Sequence, residues 1–553
     1  MILKSLRVFV GLCVAVAAVG LSAGVSHATP DGEWSTFENV PGLNAANTRG
    51  SAGVSTMSCA SAGNCSAGGN FRDADGYHAF VVSQVDGVWQ TFANVPGLVA
   101  ANTDNNARVI SVSCGSAGNC SAGGYFRDAV GFQEFVVSQV DGVWQTFERL
   151  PGLAVVNTGN EARVNSVSCG SAGNCSAVGS YATLAGYRAF VVSLVDGVWQ
   201  TFENVPGLVA ANNGNDAEVS SVSCASAGNC SAGGIYANGS NFQGFVVSQV
   251  DGVWQSFVDV PGLSAVNTGG DAEVSSVSCG SAGNCAAVGY YSNADGNQEF
   301  VVSQVDGVWQ TFENVPGLLA ANTGDESRVR SVSCASAGNC LAGGYYANAD
   351  GNQAFLVSQV DGVWQTFEEV PGLLAANTRN EAEVRSVSCG SAGNCAAVGY
   401  YTNADGYQEF VVSQVDGVWQ SFEAVPGLSA VNTGGDAEVS LVSCASAGNC
   451  SAGGYYTDAD GNQVFMTSIS TPLPEPTTTT DAPTTTTVPS TSVSTTVPST
   501  SVSTTVPSTS VSSTLLVTNL PATGRGSSST VLMSLMLILS GALVVSGLRR
   551  RIS

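Results

Sequence analysis

The chain is almost free of lysine. Lys4 is the only one among 553 residues, and it lies in the first few positions. Surface proteins that polymerise through a lysine side chain, or staple their strands with Lys–Asn isopeptide bonds, are thereby excluded, and single attachment is expected. Histidine is nearly as scarce, with only His27 and His78. No histidine triad can be assembled from them, and a zinc site lacks nitrogen ligands. Charged residues make up 11% of the chain, and acids outnumber bases by 42 to 17, giving a net charge of −25. That balance argues against nucleic acid or anionic lipid as a partner. Long apolar runs occur only near the two ends, at 8–21 and 531–548.

What fills the chain instead is repetition. Cysteines recur at Cys59, Cys114, Cys169, Cys224, Cys279, Cys334, Cys389 and Cys444, and tryptophans at Trp34, Trp89, Trp144, Trp199, Trp254, Trp309, Trp364 and Trp419. Both series step by 55 residues without insertion or deletion. Length alone suggests several domains, but a period this long means a repeat architecture. One unit carries four strand signals: Val274–Cys279, Cys285–Tyr291, Gln298–Val305 and Val308–Phe312. Asp306-Gly307 reads as a two-residue hairpin turn, and a connector with Pro316-Gly317 and Asn322-Thr323-Gly324 leads onward. Small residues in the first two strands and aromatics in the last two fit the taper of a propeller blade.

The ends of the repeat region are out of phase. It opens with a lone fourth strand around Trp34 and closes with a third strand, Asn462–Ser468, that no Asp-Gly-Val-Trp follows. The missing strand of the last unit therefore stands at the start. An all-β, eight-bladed propeller closed by its N-terminal strand is expected, with Trp34 in the blade of Cys444 and Cys450; a linear array would gain nothing from the split.

Residues 1–28 read as a signal peptide, with Lys4 and Arg7 before the apolar run and Ser26-His27-Ala28 at the cleavage site. Cys13 follows Leu12 and lacks the small neighbour of a lipoprotein site. Export leaves sixteen cysteines as eight Cys-x5-Cys pairs in an oxidising compartment. The expected disulfides are Cys59–Cys65, Cys114–Cys120, Cys169–Cys175, Cys224–Cys230, Cys279–Cys285, Cys334–Cys340, Cys389–Cys395 and Cys444–Cys450. The propeller spans 29–470. Residues 471–519 are rich in Thr, Pro, Ser and Val and read as a disordered stalk open to O-glycosylation; at about 3 Å per residue it reaches on the order of 150 Å.

Residues 520–553 close the chain. Leu520-Pro521-Ala522-Thr523-Gly524 precedes the apolar run 531–548 and then Arg549-Arg550-Arg551. This resembles the LPxTG cell-wall sorting signal of Gram-positive surface proteins, in all three parts and in their order. The resemblance implies cleavage by a sortase after Thr523 and linkage of Thr523 to peptidoglycan. The apolar run is long enough for a transmembrane helix before sorting, with the arginines held on the cytoplasmic side. A permanent membrane anchor is the alternative.

Ser303–Trp309 resembles the Asp-box of propeller hydrolases and related secreted proteins, which places Ser, Asp, Gly and Trp on the hairpin between a blade's third and fourth strands. Here Asp306 stands closer to Trp309, and Ser303 further from Asp306, than that pattern has them. The resemblance implies a folding element, so Asp86, Asp141, Asp196, Asp251, Asp306, Asp361 and Asp416 are read as hairpin residues. The Asp-Ala-Asp-Gly turns at 73–76 and 458–461 lack the further oxygen ligands of a calcium loop and read as plain turns. No catalytic residue, metal or cofactor is assigned.

The loop between second and third strands and the connector differ most from unit to unit. In a propeller both lie on one face, where loops on a rigid scaffold carry recognition. The connector ends near the axis with Ser51, Asn106, Glu161, Asp216, Asp271, Glu326, Glu381 and Asp436. Two residues on stand Gly53, Arg108, Arg163, Glu218, Glu273, Arg328, Glu383 and Glu438. Together they predict an acidic mouth interrupted by three arginines, suited to a cation, a basic peptide or glycan hydroxyls; the plainer reading is a set of solvated loop ends in an acidic secreted protein. The expected function is a monomeric, wall-anchored surface protein displaying a propeller binding face for an extracellular glycan or protein. A wall-anchored glycan hydrolase or lyase and a purely structural surface repeat are the rivals.

Overall fold

A computed structural model describes residues 32–470. The signal peptide, stalk and sorting signal read from the sequence lie outside the described residues. Eight antiparallel sheets follow one another, each with its strands in the order inner, second, third, outer. They form an eight-bladed propeller. Blade 5 is typical: Ala272–Ser281, Asn284–Asn293, Gly296–Val305 and Val308–Trp309. Blades are numbered here by their cysteine pairs, from Cys59 to Cys450.

The ring is closed as the phase of its ends requires. Glu38 pairs with Met466 and Asn39 with Phe465. The Ser35 N–H donates to the Ser468 carbonyl at 2.8 Å. Trp34 is buried in blade 8 among Cys450, Phe465 and Ile469. The outermost strand of that blade thus comes from the other end of the described chain.

Each blade packs an apolar layer on the next, with a fully buried phenylalanine at its centre, Phe80 through Phe465. Hydrogen bonds tie the inner strands into a circle. The Cys114 N–H donates to Ser58 Oγ at 3.0 Å, and the pattern continues round to the Cys59 N–H, which donates to Ser443 Oγ at 2.9 Å. All eight predicted disulfides form, each between directly opposed residues of inner and second strands, as in Cys169 opposite Cys175.

The Asp-Gly hairpins fold as read. Asp306 has φ 49° and Gly307 φ 82°, the pairing a twisted two-residue turn needs. Each hairpin rests on a disulfide loop, the Gly307 N–H donating to the Gly283 carbonyl at 2.8 Å.

Three details depart from the reading. The fourth strand does not run unbroken from Val308 to Phe312: the regular ladder ends at Trp309, followed by one bond from the Gln310 N–H to the Ser303 carbonyl at 2.8 Å and a bridge of Glu313 opposite Val301. The reason is the Phe312 N–H, which donates to the Pro261 carbonyl of the preceding connector and so binds blade to blade. The connector also holds a short helix, Leu318–Ala321, entered through Gly317 at φ 85°. Finally, aromatics are not confined to the outer strands, because Tyr290 and Tyr291 sit on the second strand of blade 5.

Candidate functional site: the mouth of the central channel

The connector's end and the start of the preceding blade's third strand meet on one face. Asn297 bridges to Glu326, Asn352 to Glu381 and Tyr407 to Asp436. The disulfide loops and Asp-Gly hairpins occupy the opposite face. The predicted acids therefore do assemble at one end of the axis, because each precedes or begins an inner strand.

What fixes Glu161, Asp216, Glu326 and Glu381 is a residue that the sequence reading passed over as part of a turn. Every connector has a buried or nearly buried asparagine four residues before the position that holds an acid in six of the eight units. Asn212 Oδ1 accepts the Asp216 N–H at 2.9 Å, and Asn212 Nδ2 donates to the Tyr187 carbonyl of the neighbouring blade at 3.1 Å. Asn157, Asn322 and Asn377 accept from Glu161, Glu326 and Glu381 at 2.9–3.1 Å. The signal was present: Asn follows the small apolar connector helix in all eight units.

The channel wall carries a second tier that was also missed. Each inner strand has a β-bulge at the residue two beyond the second acid position, as between Val164 and Ser166 or Val329 and Ser331. A bulge re-aims the side chain it holds. The bulge residues reach sideways to the next blade's wall. Asn165 Nδ2 donates to Glu218 Oε1 at 2.7 Å and Ser220 Oγ to Glu273 Oε1 at 3.2 Å. Arg330 bonds Glu383, and Arg385 pairs with Glu438 at 3.3 Å. Arg108 instead donates to Ser55 Oγ at 2.7 Å. The mouth thus holds five arginines, 108, 163, 328, 330 and 385, and not three.

The carboxylates are held by phenols. Tyr187 donates to Glu161 at 2.5 Å, Tyr345 to Glu326 at 2.8 Å, Tyr400 to Glu383 at 3.3 Å and Tyr407 to Glu381 at 3.1 Å; Tyr290 donates to Asp271 at 3.3 Å. Burial, then hydrogen bonding to Glu161, pushes Tyr187 up to about 12. Burial, then the charge of Glu438, does the same to Tyr455. Burial raises Tyr290, Tyr345 and Tyr400 further. Tyr187, Tyr290, Tyr345 and Tyr400 are thus neutral donors that orient acids.

The ring is not evenly charged. Across blades 6 to 8, acids alternate with Arg328, Arg330 and Arg385. Across blades 4 and 5, Asp216, Glu218, Asp271 and Glu273 follow one another with no arginine on those two blades' inner strands. Burial, and next the charge of Glu273, raises Glu218 to about 7. Burial also raises Asp216, Glu273 and Glu438. Behind the wall lie three deeply buried glutamates, each treated differently. Glu134 takes two bonds from Arg149, at 2.9 and 3.0 Å. Glu299 accepts from the Ser327 hydroxyl. Glu409 has only backbone donors, and burial raises it to about 7.

Among the described residues no group of three or more His, Cys, Asp or Glu is placed to hold a metal ion. Asp73, in one of the turns weighed as a calcium loop, turns its carboxylate back on the Asp75 and Gly76 N–H groups at 2.8 and 3.2 Å.

No family model and no curated protein matches the chain. Solved structures similar to it include the Hadza microbial sialidase Hz136, 9% identical, covering 63% of this chain and 73% of that one at a TM-score of 0.33. Sqt1 of Chaetomium thermophilum is 11% identical, over 76% and 94%, at 0.37. A prolyl endopeptidase is 11% identical, over 78% of this chain and 56% of its own, at 0.40. Likeness this remote says nothing of ligand or reaction.

Proposed function

We propose that the chain is an exported surface protein, joined to the cell wall through Thr523, whose propeller captures a ligand at the channel mouth. The ligand brings positive charge, as a basic segment of an extracellular protein does. The observation that carries this reading is the run Asp216, Glu218, Asp271 and Glu273. Four acids stand side by side, and Asp216, Glu218 and Glu273 are held above their ordinary range first of all by burial. An incoming ammonium or guanidinium relieves their repulsion and restores their ionised form. The eight disulfides suit an oxidising, extracellular setting. The described chain enters and leaves the ring on the disulfide face, since its third strands run from the mouth side to the hairpin side.

The test is titration of the purified full chain with a short oligolysine peptide at low and high salt, beside a glycan array with turnover assays on any hit. Binding that weakens with salt is expected. The combined variant Asp216→Asn, Glu218→Gln, Asp271→Asn, Glu273→Gln should lose it by about tenfold or more. Unchanged affinity in that variant removes the mouth as the site. Product release from a glycan replaces the binder with an enzyme.

A further inference from the structure

The seam between blades 7 and 8 differs from the other junctions on the disulfide face. At an ordinary junction, a glutamine ending one third strand donates to a serine of the preceding blade. Gln139 does so to Ser83 at 2.9 Å, Gln249 to Ser193 at 2.8 Å, Gln304 to Ser248 at 2.9 Å and Gln359 to Ser303 at 2.8 Å. The Val-Asp-Gly-Val hairpin of the same blade covers the place. At the seam Ile469 stands where six of the other blades have glutamine and blade 3 has Leu194. The continuous hairpin is gone too, replaced by the strand end at Ser470 and the separate segment Gly32-Glu33-Trp34.

The result is a groove of about 530 Å³, against about 370 Å³ between blades 4 and 5 and about 240 Å³ between blades 1 and 2. Small-molecule sites typically run from about 300 to 1,000 Å³. Ser413 Oγ in its wall is buried without a hydrogen-bond partner, the only serine hydroxyl so placed among the described residues; the indole N–H of Trp34 beside it is unpartnered too, as are those of Trp254 and Trp309 at intact junctions. At two other junctions the equivalent pair bonds to each other, Trp144 Nε1 to Ser83 at 3.4 Å and Trp364 Nε1 to Ser303 at 3.3 Å. Glu33 takes the place of a hairpin valine, and Glu423 lines the same groove.

We propose that this seam groove is a second ligand-binding site, and that it takes a neutral saccharide. A purely apolar ligand would seal the hydroxyl and the indole N–H away unpaired, at a cost of about 1–3 kcal/mol each. A simple cation would use the carboxylates and nothing else. A sugar meets the whole lining: its hydroxyls donate to Glu33 and Glu423, its oxygens supply the acceptors the wall lacks, and its C–H faces pack on the exposed Val415 and the edge of Ile469. The site lies on the face opposite the mouth and rests on nothing proposed there.

The experiment titrates the full chain with glucose, galactose, N-acetylglucosamine and their β-linked disaccharides, read by ligand-observed NMR and tryptophan fluorescence. At least one probe should bind in the millimolar range. Ile469→Gln rebuilds the bond to Ser413 and fills the groove; it should weaken binding by about tenfold or more while leaving thermal stability equal or higher. Glu33→Val, which restores the hairpin residue, should weaken it through a different side of the groove. Leu194→Gln makes the same repair between blades 2 and 3, where the hairpin is intact, and should change nothing. The proposal is overturned if no probe binds at millimolar concentration, if both seam variants bind as the unaltered chain does, or if Leu194→Gln abolishes binding equally.

Discussion

The two faces of the ring are built by the same eight units, yet one face repeats and the other does not. On the hairpin side, the Asp-Gly turns and Cys-x5-Cys loops recur with almost no variation, and each hairpin hydrogen-bonds the loop beside it. On the mouth side, the connector ends carry Ser, Asn, Glu or Asp, and the bulges carry Ser, Ile, Asn or Arg. The difference teaches where the sequence is free. A hairpin that needs φ of 49° and 82° accepts few residues. A side chain at the end of a connector, free of such a backbone demand, accepts many. Uniformity marks architecture, and individuality marks the surface left for recognition.

The largest way to break that comparison is to damage the uniform face and watch the other. Replacing Cys279 and Cys285 together by alanine opens a loop of sequence separation 6. By chain entropy this costs about 2 kcal/mol, read as a lower denaturant midpoint. Peptide capture at the mouth should be unchanged, because the inner strand stays in its circle of serine hydrogen bonds. Capture that falls in step with stability would mean the two faces are one cooperative device.

Much of this was legible beforehand. The 55-residue period, the cysteine spacing and the displaced Trp34 segment led to the ring, its disulfides and its closure, because each follows from covalent spacing or from an edge that must be paired. The mouth was only half legible. Its acids could be counted, but a β-bulge leaves no mark in a serine-rich strand, so Arg330 and Arg385 were not placed in the wall. The asparagine clamps looked like turn residues because Asn is common in turns for other reasons. Phe312 was assigned to the strand on propensity, and a hydrogen bond to another blade overrode it.

A smaller effect sharpens the comparison through pH. Glu218 and Glu409 both titrate at about 7 in the folded ring, above their ordinary 4.5. The folded state therefore binds more protons than the unfolded one between those values, and stability must fall as pH rises from about 4.5 through 7. Thermal melts should show a higher midpoint near pH 5 than near pH 8, and Glu409→Gln together with Glu218→Gln should flatten the slope. Capture at the mouth runs the other way. Between about pH 8 and pH 6 the ionised fraction of Glu218 drops roughly tenfold, so a cationic probe binds more weakly in acid. Both trends vanishing in the double variant ties them to these two carboxyls; a slope that survives assigns it elsewhere.

The smallest effect bears on the face taken as architecture. Asp306 resembles a functional acid by its recurrence in seven units, but the structure asks two things of it. Its backbone sits at φ 49°, and its N–H donates to Asn284 Oδ1 at 3.2 Å. Asparagine tolerates that conformation as readily as aspartate does, and a β-branched residue does not. Asp306→Asn should leave the melting temperature and every ligand titration where they were. Asp306→Val should cost about 1–2 kcal/mol and still leave ligand affinity alone. Only a carboxylate acting as a carboxylate would make the asparagine variant fail. A loss of binding in Asp306→Asn, at unchanged stability, would move recognition onto the uniform face and reverse the assignment of the two sides.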